Sequence, residues 1–324
     1  MENPPRKNVR IALILIFLID IVWGSQYLLI KLGVQDVPVF FFQGFRFLIA
    51  FLGFLPFFGK FRLINKQTVI ASLILAFILY VMTAFLTYGL EYTSSSKGAF
   101  IATLYVVMTP PFARLILGRH IQRNKWVGVA FAIGGMFCMM LLNPSSGLFD
   151  FSINLGDVLI FVCAALNAVQ IVLMEKYVKS VDIMLFSLLQ LGLLSLFLLT
   201  SSFVLQESVN LAGFSPTLWW VIIYLGIAGG TCSLLIQSYG QKYIEASRAA
   251  ILFTLEPVFG TFFSVVFGHE PLTIYFIIGA SLIFAGILLS SIENRPIKVE
   301  TLPEEKKDDS DEWPSSEWKD WNLM

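Results

Sequence analysis

Ten runs of about 20 apolar residues follow one another along this chain, and each is long enough to carry a helix across about 30 Å of hydrocarbon. Their approximate spans are Ile11–Leu32, Val39–Phe58, Thr68–Tyr88, Gly98–Leu117, Trp126–Leu142, Asp157–Tyr177, Ile183–Leu205, Leu218–Tyr239, Ala249–Phe267 and Thr273–Ser291. The runs are solidly apolar, whereas an outer-membrane barrel alternates with period two. The first run continues past Asp20 for another dozen residues, which makes it a spanning helix and not a signal peptide. Of the 324 residues, 57% are hydrophobic and 14% charged. An average soluble domain has roughly 45–50% and 25%, so a water-soluble fold would lack ionised groups for its surface.

Lys and Arg set the orientation. With the N-terminus in the cytoplasm, Lys60, Arg62, Lys66, Arg119, Arg123, Lys125, Lys176, Lys179, Lys242 and Arg248 fall on that side, and little more than Lys31 and Lys97 falls outside. Both termini are then cytoplasmic, at what is expected to be a bacterial inner membrane. Net charge is zero, which gives no reason to expect a nucleic-acid partner. The zero is an average: residues 293–324 hold ten acidic and five basic residues, and the rest hold 12 acidic and 17 basic. Residues 292–324 are expected to be a disordered acidic cytoplasmic tail, unusual in carrying Trp313, Trp318 and Trp321. Cys138, Cys163 and Cys232 lie inside apolar runs without paired spacing, and His120 and His269 stand alone at span ends, so no metal and no cofactor is expected.

Shifted by 151 positions, Tyr92 aligns with Tyr243, Ser96 with Ser247, Lys97 with Arg248, Ala99 with Ala250, Thr103-Leu104 with Thr254-Leu255, and Gly128 and Gly135 with Gly279 and Gly286. At a shift of 144, Trp23-Gly24-Ser25-Gln26 faces Asn167-Ala168-Val169-Gln170. Each repeat holds five spans, and an odd number of crossings inverts the second copy. The expected fold is an all-α membrane protein of ten transmembrane helices in two inverted-topology repeats. The boundaries are an N-terminus of residues 1–10, repeats at 11–142 and 157–291, and an external linker at 143–156. Two such halves can close over either end of a central site.

These features, with Arg46-Phe47 in the second span, Tyr92-Thr-Ser-Ser-Ser-Lys-Gly-Ala-Phe-Ile before the fourth, Gly156-Asp157 opening the sixth and Leu255-Glu256-Pro257-Val258 in the ninth, resemble the EamA family of the drug/metabolite transporter superfamily over about residues 11–291. The fourth span departs from the pattern with Pro110-Pro111, and Arg119 stands where the second half has Glu270. The resemblance implies that helices one, three, four, six, eight and nine surround a cavity and that five and ten lie at the periphery. It also implies export of amino acids or other small metabolites, related branches moving nucleotide sugars, phosphorylated sugars or cationic drugs. Through it the glycine pairs of the fifth and tenth helices are assigned to packing or to a homodimer contact.

Ionisable and hydrogen-bonding groups at membrane depth are candidate pathway residues, since an insertion scale charges about 2.5–3.5 kcal/mol for a central charge. Asp20, Trp23, Tyr27 and Lys31 share one helix face. Asp20 either takes part in proton coupling or fixes packing. Glu256 precedes Pro257, whose missing N–H kinks a helix and frees a carbonyl beside the carboxylate. Arg46 either pairs with Asp20 or Glu256 or anchors a substrate carboxylate. Tyr80, Thr87, Tyr105, Asn167, Gln170, Tyr224 and Gln237 add neutral polar groups. The set suits a small zwitterionic or polar solute, and no pair of intramembrane lysines offers to take a phosphate ester. The expected protein is a secondary-active exporter of small metabolites, with the bilayer as its environment and protons as a candidate coupling ion. The rivals are a cationic drug or quaternary amine exporter and a non-transporting structural membrane protein; no enzymatic nucleophile-and-base pair is visible.

Overall fold

Apolar helices of 11 to 31 residues make up most of the structure, and their outward faces carry large hydrophobic side chains such as Leu115, Phe203 and Leu288. Lipid solvates such a surface and water does not. The computed structural model describes residues 6–54, 64–93, 95–118, 121–141, 154–209, 211, 214–267 and 274–291. The tail with Trp313, Trp318 and Trp321 lies outside the described residues, as do Arg119, His120, His269, Glu270 and nearly all of the 143–156 linker.

Among the described residues the regular elements are all helical: α1 (Arg6–Asp36), α2 (Val39–Leu52), α3 (Lys66–Tyr92), α4 (Ser95–Ala102), α5 (Tyr105–Leu117), α6 (Arg123–Leu141), α7 (Leu155–Tyr177), α8 (Ile183–Val204), α9 (Pro216–Gly226), α10 (Ser233–Tyr243), α11 (Ala246–Leu252), α12 (Glu256–Phe267) and α13 (Ile274–Ser291). A π-helical turn, Ile227–Cys232, joins α9 to α10, and a 3-10 turn, Phe253–Leu255, joins α11 to α12. Six stretches of the described residues are long and apolar enough to cross a membrane: α1, α3, α7, α8, α9 with α10, and α11 with α12. The other four predicted runs fall on α2, α4 with α5, α6 and α13, each close to residues outside the described set.

The fourth and ninth runs are not continuous helices. The fourth breaks at Thr103–Leu104, between α4 and α5; the ninth tightens at Phe253–Leu255, immediately before Glu256-Pro257. Thr103 donates its hydroxyl to the Ala99 carbonyl and Thr254 to that of Ile251. Such back-bonding loosens a helical turn. At the second break Pro257 sits in the first turn of α12, where its missing N–H costs nothing.

Helix starts follow their sequence signals. Asn65, Asn154, Asp182 and Ser215 each accept from a backbone N–H of the first turn. Asn154 and Asp157 form a reciprocal capping box, and Asp157 also accepts from Thr93 Oγ1 at 3.0 Å. Asn154→Ala should destabilise the folded protein by about 1 kcal/mol, the usual cost of a lost cap, read as a lowered thermal midpoint in detergent. The paired glycines of the fifth and tenth predicted helices pack on each other inside one chain: a Cβ on Gly135 would lie 2.5 Å from the Gly279 carbonyl, and one on Gly286 2.8 Å from that of Gly128. This is the packing role; the glycine face is already covered by α6 and α13.

Candidate functional site

A cavity of about 150 Å³ lies among α1, α2, α3, α4, α7, α8, the π-turn, α10 and α12. Helix α1 contributes Trp23, Gln26 and Tyr27, α2 contributes Gln43, Arg46 and Phe47, and α7 contributes Cys163, Asn167 and Gln170. Gly229 and Gly230 of the π-turn, Ser233 and Gln237 of α10 and Glu256 of α12 close it. The rest of the wall is mostly aliphatic, with Leu79, Met82 and Leu86 from α3.

Arg46 is 4% exposed and its guanidinium is held on three sides. Nε donates to the Leu225 carbonyl at 3.2 Å, Nη1 to Gln43 Oε1 at 3.1 Å, and Nη2 to Gln26 Oε1. Its carbon lies 4.7 Å from the Phe47 ring centroid. The π-turn begins two residues beyond Leu225, and a Cβ on Gly229 would stand 3.3 Å from Nη2, so a glycine there leaves room for the guanidinium. π-Turns interrupt the regular ladder and recur at functional sites. Gln43 donates in turn to Thr87 Oγ1 at 2.8 Å, which donates to the Thr83 carbonyl at 2.7 Å. No carboxylate of the described residues pairs with Arg46.

Glu256 is 8% exposed and accepts a 2.7 Å hydrogen bond from the Tyr27 hydroxyl at Oε1. Nearby, Gln237 Nε2 donates to Gln170 Oε1 at 3.3 Å. Trp23 packs on Phe253 of the 3-10 turn, ring centroids 5.2 Å apart.

Of the residues singled out in the sequence, Trp23, Tyr27, Arg46, Asn167, Gln170, Gln237 and Glu256 line the cavity. The others do not. Thr87 stands one bond behind Gln43. Tyr80 bonds Ser201 on α8, and Tyr224 bonds Ser25 on the α1 side, each at the molecule's flank. Asp20 and Tyr105 are fully buried outside the cavity wall. Neither oxygen of Asp20 and no partner for the Tyr105 hydroxyl is found in a hydrogen bond among the described residues. The second span also reaches the cavity, although it is not among the six helices that the resemblance implies surround it.

Gln26, Gln43 and the Gly229-Gly230 turn were not among the expected site residues. One signal for Gln26 was present: the 144-residue shift pairs it with Gln170 and pairs Trp23 with Asn167, and all four line the same cavity.

The sequence profile of the EamA-like transporter family matches residues 10–141 and 154–292. The chain belongs to the EamA-like transporter family. Curated relatives agree with that membership. An uncharacterized transporter of Archaeoglobus fulgidus is 26% identical over 275 residues, covering 85% of this chain and 84% of its own length. The uncharacterized transporter YoaV of Bacillus subtilis is 25% identical over 284 residues, covering 84% and 94%. One solved crystal structure superposes with a TM-score of 0.70 at 17% identity, over 86% of this chain and 96% of that one, a likeness of fold alone. As an EamA-like transporter the chain is an integral multi-pass membrane protein and not an enzyme.

Proposed function

We propose that this EamA-like transporter is a secondary-active exporter of small metabolites such as amino acids, working by alternating access at the cavity between α1, α2 and α12. In this reading ten spans form two inverted halves, residues 11–142 and 157–291, in a bacterial inner membrane with both termini cytoplasmic. The observation that carries it is the pair of helix breaks: with the 151-residue shift, the start of α5 at Tyr105 falls on the start of α12 at Glu256. Broken spans at matching positions of two halves are where transporters of this architecture place their site. A second correspondence supports it at the ends of the pathway. The 144-residue shift pairs Lys31 with Glu175; Lys31 Nζ donates to the Thr93 carbonyl beside α4, and Glu175 accepts from Ala246 N at the start of α11. Each half thus ties its first helix to its broken one.

Counterflow in proteoliposomes of the full chain, loaded with a panel of labelled metabolites, tests the proposal. Accelerated exchange of at least one small polar solute is expected, and background exchange of every solute would overturn it. Proton coupling through Asp20 predicts that Asp20→Asn loses the response of transport to a pH gradient; an unchanged response removes that part. The buried Arg46 disfavours the quaternary-amine alternative, because a cationic solute would meet an unpaired cation in the same cavity. A homodimer would have to form on a face other than the glycine stripes of α6 and α13.

A further inference from the structure

We infer that the cavity is a dipolar receptor in which Arg46 takes a carboxylate and Glu256 an ammonium, so that the transported solute is a zwitterion held in one orientation. The inference rests on the transport reading above and adds which side chain holds each end of the substrate and hence its orientation.

Among the described residues, Arg46 and Glu256 are the two charged side chains of the cavity wall, and they are not paired with each other. Helix α1 keeps them apart. Gln26 holds Arg46 and its neighbour Tyr27 holds Glu256, and successive residues of an α-helix point about 100° apart. Both charges keep unspent hydrogen-bonding capacity. A guanidinium has five N–H donors; three are used, on Nε, Nη1 and Nη2, which leaves one on each terminal nitrogen. Two N–H groups on one planar fork are what a carboxylate takes bidentately. On Glu256, Oε1 accepts from Tyr27, and Oε2 is neither bonded to the described residues nor sealed away from the cavity.

The protein has therefore spent neutral groups on fixing both poles and none on neutralising them. Gln26 and Gln43 orient the guanidinium through their carbonyl oxygens without cancelling its charge. A solute with a single charge would satisfy one pole and leave the other buried and uncompensated, a costly state. A zwitterion satisfies both. The Leu79, Met82 and Leu86 face supplies apolar contact for a side chain, and a cavity of this volume accepts a body about the size of benzene.

The test uses the purified full-length protein in detergent, with binding read by ligand-induced thermal shift. The probes are glycine, L-leucine and L-phenylalanine, together with 3-methylbutylamine and 4-methylpentanoate, which are leucine without its carboxylate and without its ammonium. At least one zwitterion is expected to bind, and leucine to exceed both analogues by roughly 100-fold, since a site built around a polar group rejects a ligand lacking it. Arg46→Gln should erase the advantage of leucine over the amine, and Glu256→Gln its advantage over the acid. Arg46→Lys, which keeps the charge but not the fork, should fold and retain a reduced preference for the carboxylate. That variant and Glu256→Gln carry the test should Arg46→Gln fail to fold. Equal binding of leucine and either analogue, unchanged affinity in Arg46→Lys, or no binding by any of the three zwitterions overturns the inference. Counterflow separates the two readings: two-charge binding without flux overturns transport and leaves the dipolar site standing, whereas flux of other solutes without zwitterion binding does the reverse.

Discussion

Gly24→Val should abolish transport and lower the thermal midpoint of the protein. At Gly24 the first helix crosses α12 backbone to backbone: a Cβ there would sit 2.6 Å from Phe259 Cβ, 2.7 Å from Gly260 N and 2.9 Å from the Glu256 carbonyl oxygen. Two of these neighbours are main-chain atoms in a helix, so no rotamer change relieves the contact. Overpacking a close-packed interior costs about 1–3 kcal/mol, and the branched side chain of valine places two more carbons in the same gap. Relief requires α1 and α12 to separate, which stretches the Tyr27–Glu256 hydrogen bond and moves one wall of the cavity. Loss of function and loss of stability therefore arrive together. Gly24→Ala should show the same two effects in smaller measure. The measurement is the unfolding midpoint in detergent beside counterflow in proteoliposomes, and a valine variant with a wild-type midpoint would refute the tight crossing.

Why this glycine matters could not be read from the sequence, although it stands in the Trp23-Gly24-Ser25 motif that carried the family resemblance. Apolar length gave the six long spans because hydrocarbon thickness sets it directly. Side-chain periodicity gave the shared face of Trp23 and Tyr27, both of which line the cavity. Periodicity says which residues share a face and nothing about what that face meets. Tyr80 and Thr87 lie on one stripe of α3, yet Tyr80 is spent on Ser201 and stacks on Phe40, while Thr87 supports Gln43. Pro257 signalled the break before α12 through its missing N–H. The matching break between α4 and α5 has no proline within it, since Pro110 and Pro111 lie further along α5. The π-turn was illegible for a different reason. Its Gly229 and Gly230 look like ordinary small residues of a membrane helix, and their use appears only when α2 arrives, with Arg46 Nη2 against Gly229 and Ala50 against Gly230.

Asp20→Leu is expected to raise the stability of the protein and to silence it. The Asp20 side chain is fully buried within α1, and neither carboxylate oxygen has a hydrogen-bond partner among the described residues. A buried polar group left unsatisfied costs about 1–3 kcal/mol, and removing it for an apolar group of similar shape returns that amount. The thermal midpoint should therefore climb in Asp20→Leu, and Asp20→Asn, still polar but uncharged, should fall between leucine and wild type. We propose that a group kept at such a cost serves function, where stability is commonly surrendered. Its surroundings fit that account: Asp20 lies within electrostatic reach of Glu256 and of Tyr105, whose hydroxyl is also buried and unpartnered, so the two unsatisfied groups stand beside one pole of the cavity. Opposite signs in the two assays, midpoint up and counterflow down, separate this role from a structural one. A midpoint that falls with activity would mean that Asp20 holds the helices together, and a midpoint that rises with full transport would leave the carboxylate without any part in the cycle.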